Sequence, residues 1–517
     1  MRKIIAVLVV ISVCYACNEE DFLDLEPQND QYYENYYKIP DHAEAAWVAM
    51  YEPLAWPEFY GNQYTFLNDL ASDDFGGENP GGIEDNIDFD PDYRRVEGFY
   101  GVLYKGLLRT NIVLEEVTKE NIPDIEDQRL EEIRTQALAL RGIYLWYLVV
   151  HFGTAPAILE KPNPPGIYPN SDPSTTWSHV EHDLQSAISS GNLMKDRYTR
   201  ETGAVLTEWG ARAFLAKAYL YQQKWHDAER ELEYIIDNGP HELITTEGND
   251  FHDYRDAYQS VFTIDPFYQG NGGQWNKETL FEVEFSSYQA IWGQWLGWGT
   301  DGSQRAQNFG LVVRAGWRNG VGMPELYNEF EEGDPRRVVT LWSEGDILET
   351  RSEESERATY NVRYNPTVHG SWTDYMPKKD LYPIWYDNDY NYPNNFRIIR
   401  YADVLLMYAE AAFRANNQRT GKPLDALNQV RERVGLAPIS TLSKEAIIHE
   451  RRVELAWENI RYRDLIRWHR SGWIDIHDYL PVFEIGKDEW YPIPQKEIDL
   501  ADGLLKQNPG YEEEEMP

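Results

Sequence analysis

Two stretches of this chain repeat one arrangement of small and large apolar residues, and that repetition constrains the fold more than any other feature. In TEWGARAFLAKAYLYQQKWHDAERELEYIIDNGP, Leu215, Ala216 and Tyr219 fall on one helix and Ala228, Leu232 and Ile235 on a second, with Pro240 closing the unit. The small Ala216 and Ala228 let two helices approach closely, while Tyr219 and Leu232 fill the space beside them. QQKW reads as the tight turn between them. In YADVLLMYAEAAFRANNQRTGKPLDALNQVRERVGLAP, Ala426 and Pro438 keep the twelve-residue spacing of Ala228 and Pro240, and the turn NNQRTGKP is longer.

A Leu-small-x-x-Tyr series followed by Ala and then Pro is the tetratricopeptide pattern. Such units stack because one helix pair cannot bury its apolar face alone. Further helices are expected at Asp41–Trp56, Arg94–Lys119, Asp127–Phe152, Thr175–Ser190 and Ser443–His469, each with apolar residues at 3–4 spacing. DIEDQRLEEIRTQALALRGIYLWYLVVHFG is the clearest, with a charged first half, an apolar second half and Gly153 as its stop. Residues 240–400 differ in texture: they are rich in Gly, Asn, Asp, Tyr, Trp and Pro, with strand-like pieces such as TLFEVEF. That region is too long for a loop. The expected fold is mainly α: a tetratricopeptide-type helical-repeat scaffold over about 40–240 and 400–470, with a large irregular loop-rich insertion carrying short strands over about 240–400. An extended segment follows over 470–517, where the prolines of YPIP forbid helix. With 42% hydrophobic residues among 517, the chain can bury a large core.

The N-terminus, MRKIIAVLVVISVCYAC, has Arg2 and Lys3 before an apolar run from Ile4 to Val13. That run is too short to span a bilayer and suits a signal-peptide core. It stops at Cys17, after the small Ala16, and resembles a bacterial lipoprotein signal covering residues 1–16. It departs from the usual form at Cys14 and Tyr15. The chain has 2 cysteines, Cys14 and Cys17, so cleavage before Cys17 leaves one, with no disulfide to make. Lipidation gives Cys17 a use, and the acidic NEEDFLDLEPQND reads as a tether. No later apolar run reaches the roughly 18 residues needed to cross a membrane. The mature chain, 17–517, is expected to be anchored rather than spanning.

A formal net charge of −39 sets nucleic acid aside and disfavours a polyanionic ligand, leaving a neutral one. Aromatic residues make up 14%, with 18 Trp and 36 Tyr. In AIWGQWLGWGT, Trp292, Trp295 and Trp298 alternate with Gly293, Gly297 and Gly299, a backbone too loose for a packed helix. On loops, an indole can stack on the apolar C–H face of a sugar ring while carboxylates and amides bind the rim hydroxyls. Trp275 and Trp317 join the three as a candidate platform. The alternative is an aromatic minicore packing the insertion onto the scaffold.

Signatures of catalysis are weak. There is no G-x-S-x-G, no H-E-x-x-H and no Walker loop, and HERRV at 449 lacks the second histidine. HVEHD sets His179 and His182 one turn apart, with Asp183 adjacent, and reads as a polar helix face. The 87 acidic residues make chance carboxylate pairs too common to mark a glycosidase. DNDYNY opens like a calcium loop with Asp387, Asp389 and Asn391, but Tyr392 stands where Gly is needed and Ile398 where Glu is needed. No EF-hand and no cofactor are expected; an irregular calcium site is left open.

Several blocks carry a family resemblance: RYADVLLMYAEAAFRA (400–415), LNQVRERVGL (427–436), IIHERRVELAWENIRYRDLIRW (447–468) and WYPIPQKEIDLADGLLKQNPGY (490–511). CNEEDFLDLEPQ, ALRGIYLWYLVVHFGTAP and FEEGDPRRVVTLWSEGD add to them. Together these resemble the SusD/RagB family, in its block order, from Cys17 to Tyr511. The resemblance implies a single domain, a tetratricopeptide scaffold plus an insertion carrying the ligand site. It also implies a cell-surface outer-membrane lipoprotein that captures glycan, or peptide in some members, for a SusC-like TonB-dependent transporter. It further places the loop FLNDLASDDFGGENPGG near the ligand, with Asn68, Asp69, Asp73 and Asp74 as hydrogen-bonding candidates. A surface glycoside hydrolase is the reading from another class. The mixed charges of HERRVELAWENIRYRDLIRW, by contrast, read as an ion-paired helix that fixes the fold.

Overall fold

A computed structural model describes residues 36–162, 166–196, 203, 205–247, 251–263, 273–285, 303–310, 317–348, 362–369, 371–381 and 393–511. The signal segment, Cys17, Trp292, Trp295, Trp298 and the stretch 387–392 lie outside them. The N-terminal half contains α1 (Pro40–Ala55), α2 (Gln63–Asn68), β1 (Phe75–Gly77), α3 (Arg94–Glu116), α4 (Asp127–Phe152), α5 (Pro173–Ser190), α6 (Glu208–Tyr221) and α7 (Trp225–Asn238). In the insertion lie α8 (Tyr254–Ser260), β2 (Thr279–Val283), α9 (Arg305–Phe309), β3 (Gly320–Gly322), α10 (Pro324–Glu329), α11 (Pro335–Thr340), β4 (Leu341–Trp342), β5 (Ile347–Leu348), β6 (Val362–Arg363), α12 (Pro366–His369), β7 (Met376–Pro377) and β8 (Phe396–Arg400). The C-terminal part adds α13 (Tyr401–Asn416), α14 (Lys422–Arg433), α15 (Lys444–Leu455), α16 (Arg461–Arg470) and α17 (Gln495–Leu500).

Local chemistry sets the helix ends. The Thr207 side chain accepts from Gly210 N at the start of α6, Asp172 accepts from Ser174 N at α5, and Ser443 accepts from Ala446 N at α15. Gly153 follows α4 with a φ of 51°, as its place after the apolar run predicts. The helices then pack in series: α3 on α4, α4 on α5, α5 on α6, α6 on α7, α7 on α13 and α13 on α14. The two repeat units, α6–α7 and α13–α14, are thus neighbours in one stack although the whole insertion separates them in sequence. Ala216 and Ala228 are fully buried in the main core. Chains of this kind gain stability from each repeat burying the face of the next.

The insertion leaves and re-enters the stack through one ladder. β2 pairs antiparallel with β8, Tyr401 N donates to Glu278 O at 2.7 Å, and β8 runs directly into α13. β1 pairs with β3, β4 with β7 and β5 with β6, all antiparallel. Beyond the main core, a second cluster joins Phe66, Leu70 and Phe75 to Phe309, Leu326 and Leu341 of the insertion and to Trp457.

The span expected as one helix, Ser443–His469, is two. α15 ends at Leu455 and α16 begins at Arg461, with Trp457 and Asn459 at φ values of 66° and 60° between them. The bend seats the Trp457 ring in the second cluster, where its Nε1 donates to Asp380 Oδ1 at 3.1 Å. It also aims Asn459 N at the Asp69 carboxylate, 3.1 Å away. No Gly or Pro marks the spot; tertiary contacts override a sequence that would run on as helix.

Charge holds the insertion to this bend. Arg400 Nη1 donates to Glu278 Oε1 (2.7 Å) and Glu454 Oε1 (2.6 Å), and its Nε donates to Glu458 Oε2 (2.7 Å). Arg433 bonds Glu454 and Glu278, and Arg336 bonds Asp334, Glu450 and Glu454. Lys379 Nζ donates to Glu458 Oε1 at 2.5 Å and to the carbonyls of Glu454 and Ala456. Arg336, Arg400, Arg433, Glu278, Glu450 and Glu454 are all buried. Burial alone would raise the Glu454 pKa, but Arg433, Arg400, Arg336 and Lys379 hold it well below the ordinary carboxylate range. Burial lowers the Lys379 pKa to about 8, against the pull of Glu458.

Two expectations about stability follow from this packing. Ala216→Leu or Ala228→Leu should overpack the crossing of α6 and α7 and cost about 1–3 kcal/mol by denaturant unfolding. Glu454→Ala removes a carboxylate shared by three buried guanidinium groups and should cost about 3–5 kcal/mol or prevent folding. Unchanged unfolding midpoints would refute both assignments.

Candidate ligand-binding site

The sequence-derived ligand loop between α2 and β1 is turned inward. Asn68, Asp69 and Asp74 are 0%, 1% and 0% exposed, and Asp73 is partly buried. Asn68 Nδ2 donates to Tyr64 O at 2.9 Å, and Asp69 receives the amide of Asn459. Asp73 accepts a two-pronged bond from Arg461 (2.8 and 2.8 Å) and lies 2.9 Å from Arg452 Nη2; Arg452 Nε donates to Asp74 Oδ1 at 2.6 Å. Asp73 and Asp74 thus neutralise Arg452 and Arg461 beside the α15–α16 bend, while Asn68 and Asp69 are taken by backbone groups. They are structural, not ligand-facing, because buried guanidinium groups need carboxylate partners. The expected HVEHD face is likewise engaged: Asp183 is buried and accepts a two-pronged bond from Arg141.

The same group reaches the insertion through α10. Arg452 Nη1 lies 3.5 Å from Glu329 Oε2. His449 Nδ1 is 2.5 Å from Glu329 Oε1, and its Nε2 is 3.5 Å from Glu331 Oε1. Burial works against the imidazolium, but the Glu329 hydrogen bond and the charges of Glu450, Glu329 and Glu331 outweigh it, so the His449 pKa lies above 6.5.

An outward-facing aromatic site lies on the other side of that loop, along the β1–β3 ladder. Register pairs Gly77 with Gly320 and Phe75 with Gly322. Two tryptophans sit at the Gly77–Gly320 end, and both are exposed, Trp317 by 40% and Trp372 by 38%. Trp317 N donates to Gln307 O at 2.7 Å just before β3, and Trp372 Nε1 donates to Gly77 O at 3.0 Å. Thr373 Oγ1 donates to Gly322 O at 2.9 Å, which pins the Trp372 segment to the other strand. A Cβ on Gly76 would lie 3.2 Å from Trp372 Cζ2, so glycine there lets the indole lie against the strand. Polar groups cluster on the turn that follows β1, with Asp85 and Trp372 both beside Gly76. Asp85 accepts from Gly77 N (2.6 Å) and Gly81 N (3.0 Å), Asn86 Nδ2 donates to Gly81 O, and Arg318 lies 4.0 Å from Glu78. Tyr327 and Tyr375 stack nearby with ring centres 4.2 Å apart.

Of the tryptophans expected to form a platform, Trp317 stands at this ladder end. Trp275 does not join it. It stands before β2 at a φ of 55°, where its Nε1 donates to Glu284 Oε1 at 2.6 Å and its N to Glu282 Oε1 at 3.1 Å. Trp372 was not anticipated. Its setting, GSWTDY, carries the same signal of an indole among small residues, but a single ring without repetition does not stand out.

A protein-family model described as "SusD family" matches residues 254–511, and one described as "Starch-binding associating with outer membrane" matches residues 21–220. The chain is 24% identical over 491 residues to a SusD-like protein of Bacteroides ovatus, covering 91% of this chain and 83% of that one. Among solved structures it is similar to a laminarin binding SusD-like protein, with 27% identity, a TM-score of 0.71 and coverage of 92% of this chain and 100% of that one. A SusD homolog from Bacteroides thetaiotaomicron has the same fold, with 21% identity, a TM-score of 0.73 and coverage of 92% and 98%. Among the described residues no helix is long and apolar enough to cross a membrane.

The raised pKa of His449 sets the sign of a pH effect. Its contribution to stability is fully present below the unfolded value near 6.5 and is lost as pH rises through the folded value. The stability advantage of wild type over His449→Gln should therefore shrink between neutral and mildly alkaline pH in denaturant titrations. An advantage that grows with pH would show that the imidazolium is not what holds Glu329.

Proposed function

This chain belongs to the SusD family, and on that premise we propose that it is a non-catalytic glycan-binding lipoprotein of the cell surface. It captures a neutral oligo- or polysaccharide and delivers it to a SusC-like TonB-dependent outer-membrane transporter, held to the membrane by lipid on Cys17. The observation that carries the reading is the pair of exposed indoles, Trp317 and Trp372, on one end of one strand ladder with a polar turn beside it. Exposed aromatic faces cost hydration and are kept where a ligand covers them. Two of them suit the apolar faces of sugar rings, and the polar turn suits the hydroxyls. The laminarin binding of a 27% identical relative supports the ligand class.

Non-catalytic action fits the placement of the acids and bases. Two of the strongly shifted groups, Glu454 and Lys379, are locked in buried ion pairs. The transfer to a transporter rests on the family alone.

Trp317→Ala and Trp372→Ala test the reading. A buried Trp→Ala change typically costs about 3–5 kcal/mol, whereas these exposed rings should leave the melting temperature nearly unchanged. Affinity for neutral oligosaccharides, with laminarihexaose as the first probe, should fall about tenfold or more for at least one variant, as for central aromatic anchors. Unchanged affinity in both would move the platform elsewhere. Released reducing sugar in the wild-type titration would point to a hydrolase, and binding of peptides but not sugars would change the cargo.

A further inference from the structure

A cavity of about 40 Å³ lies at the α15–α16 bend, lined by Tyr60, Tyr64, Tyr147 and Phe214 and by Asn459 and Arg463, with Glu458 and Asp464 also on its wall. By the measure in which one water needs about 10–15 Å³, it holds about three or four water-sized occupants. Its charge does not balance. Lys217 lies 3.0 Å from Asp403, and Arg451 reaches Asp403 (3.0 Å) and Asp464 (2.8 Å). Arg467 reaches Asp464 (2.8 Å) and Glu410 (2.5 Å), while Glu458 is taken by Lys379 and Arg400. Among the described residues, that leaves Arg463 with no carboxylate partner.

Arg463 is nonetheless 2% exposed. Its guanidinium lies over the rings of Tyr491 (4.2 Å) and Tyr462 (4.9 Å), and Nη1 donates to Glu489 O at 3.3 Å. Besides its interaction with the Tyr491 side chain, the guanidinium has Nε and Nη2 buried with no hydrogen bond of good geometry, and both side-chain polar atoms of Asn459 are buried in the same way. A buried cation is expensive unless an anion and hydrogen bonds compensate it. The site also opens on the first turn of α16, whose N-cap residue is Ile460 and supplies no side-chain acceptor. Helix N-termini of this kind favour negative charge.

We propose that this cavity is a binding site for one small monovalent anion of halide size, chloride in practice, held by Arg463 and Asn459 Nδ2 beside the start of α16. The remaining volume takes water, which satisfies Asn459 Oδ1. The ion would supply the charge that the protein omits and would lock the bend on which Trp457 and the arginine network depend. The inference stands apart from the proposed glycan site.

Bromide is the probe. Crystals of the mature protein grown in sodium bromide should show an anomalous peak in the cavity. In solution, the melting temperature should rise in a saturating way as chloride replaces gluconate at constant ionic strength, and Arg463→Gln should abolish that dependence. A cavity holding only water in the bromide crystals, or a chloride dependence that survives in Arg463→Gln, would overturn the proposal. Should Arg463→Gln fail to fold, the bromide map of the wild type decides alone.

Discussion

The interaction on which the rest depends is the buried meeting of Arg400, Arg433 and Arg336 with Glu454, and of Arg400 and Lys379 with Glu458. These groups come from β8, α14, the insertion and the α15–α16 bend. None can be moved alone, because a buried charge without its partner costs more than the pair contributes. Arginine suits this role because its fixed fork of donors satisfies two carboxylates at once. The network therefore acts less as a source of stability than as a specification of which segments meet.

Its consequence is a division of labour. The repeat stack supplies the large apolar core, and the described parts of the insertion, which contribute to two smaller clusters, are tied down at discrete points. The β2–β8 ladder closes its base, the Glu278 and Arg336 pairs hold its middle, and Glu329 with His449 and Arg452 holds α10. A segment held in this way can leave indoles such as Trp317 and Trp372 outward, because its attachment does not require burying them. This is the usual arrangement for binding surfaces, in which loops present groups that a rigid scaffold positions.

The acidic loop at 66–82 shows how an exposed-looking composition misleads. Asp73 and Asp74 in a Gly-rich stretch read as solvated or ligand-binding, and the arginines of HERRVELAWENIRYRDLIRW read as paired along their own helix. In the fold, Arg461 and Arg452 reach across to Asp73 and Asp74, while Arg467 to Asp464 is a pair at helical spacing. Charge patterns in one segment cannot name partners in another. The bend at Trp457 and Asn459 is of the same kind, since the groups that make it favourable, Asp69 and Asp380, come from elsewhere in the chain.

The sequence by itself determined the repeat stack. The spacing of Ala216, Tyr219, Ala228 and Leu232 reports helix faces directly, because helical period is a local property and burial follows it. It also determined that 240–400 would be an irregular insertion, since Gly, Asn and Pro deny long regular elements, and it offered Trp317 as one of five candidate tryptophans. Tertiary structure alone decided that Asp69, Asp73 and Asp74 face inward, that Trp372 joins Trp317 at one ladder end, and that Trp275 does not. The first two outcomes depend on contacts between residues hundreds of positions apart, whereas Trp275 is held by its neighbours Glu282 and Glu284. Their energies come from pairing charges and hydrogen bonds in the absence of water, a condition that exists only once the chain has folded.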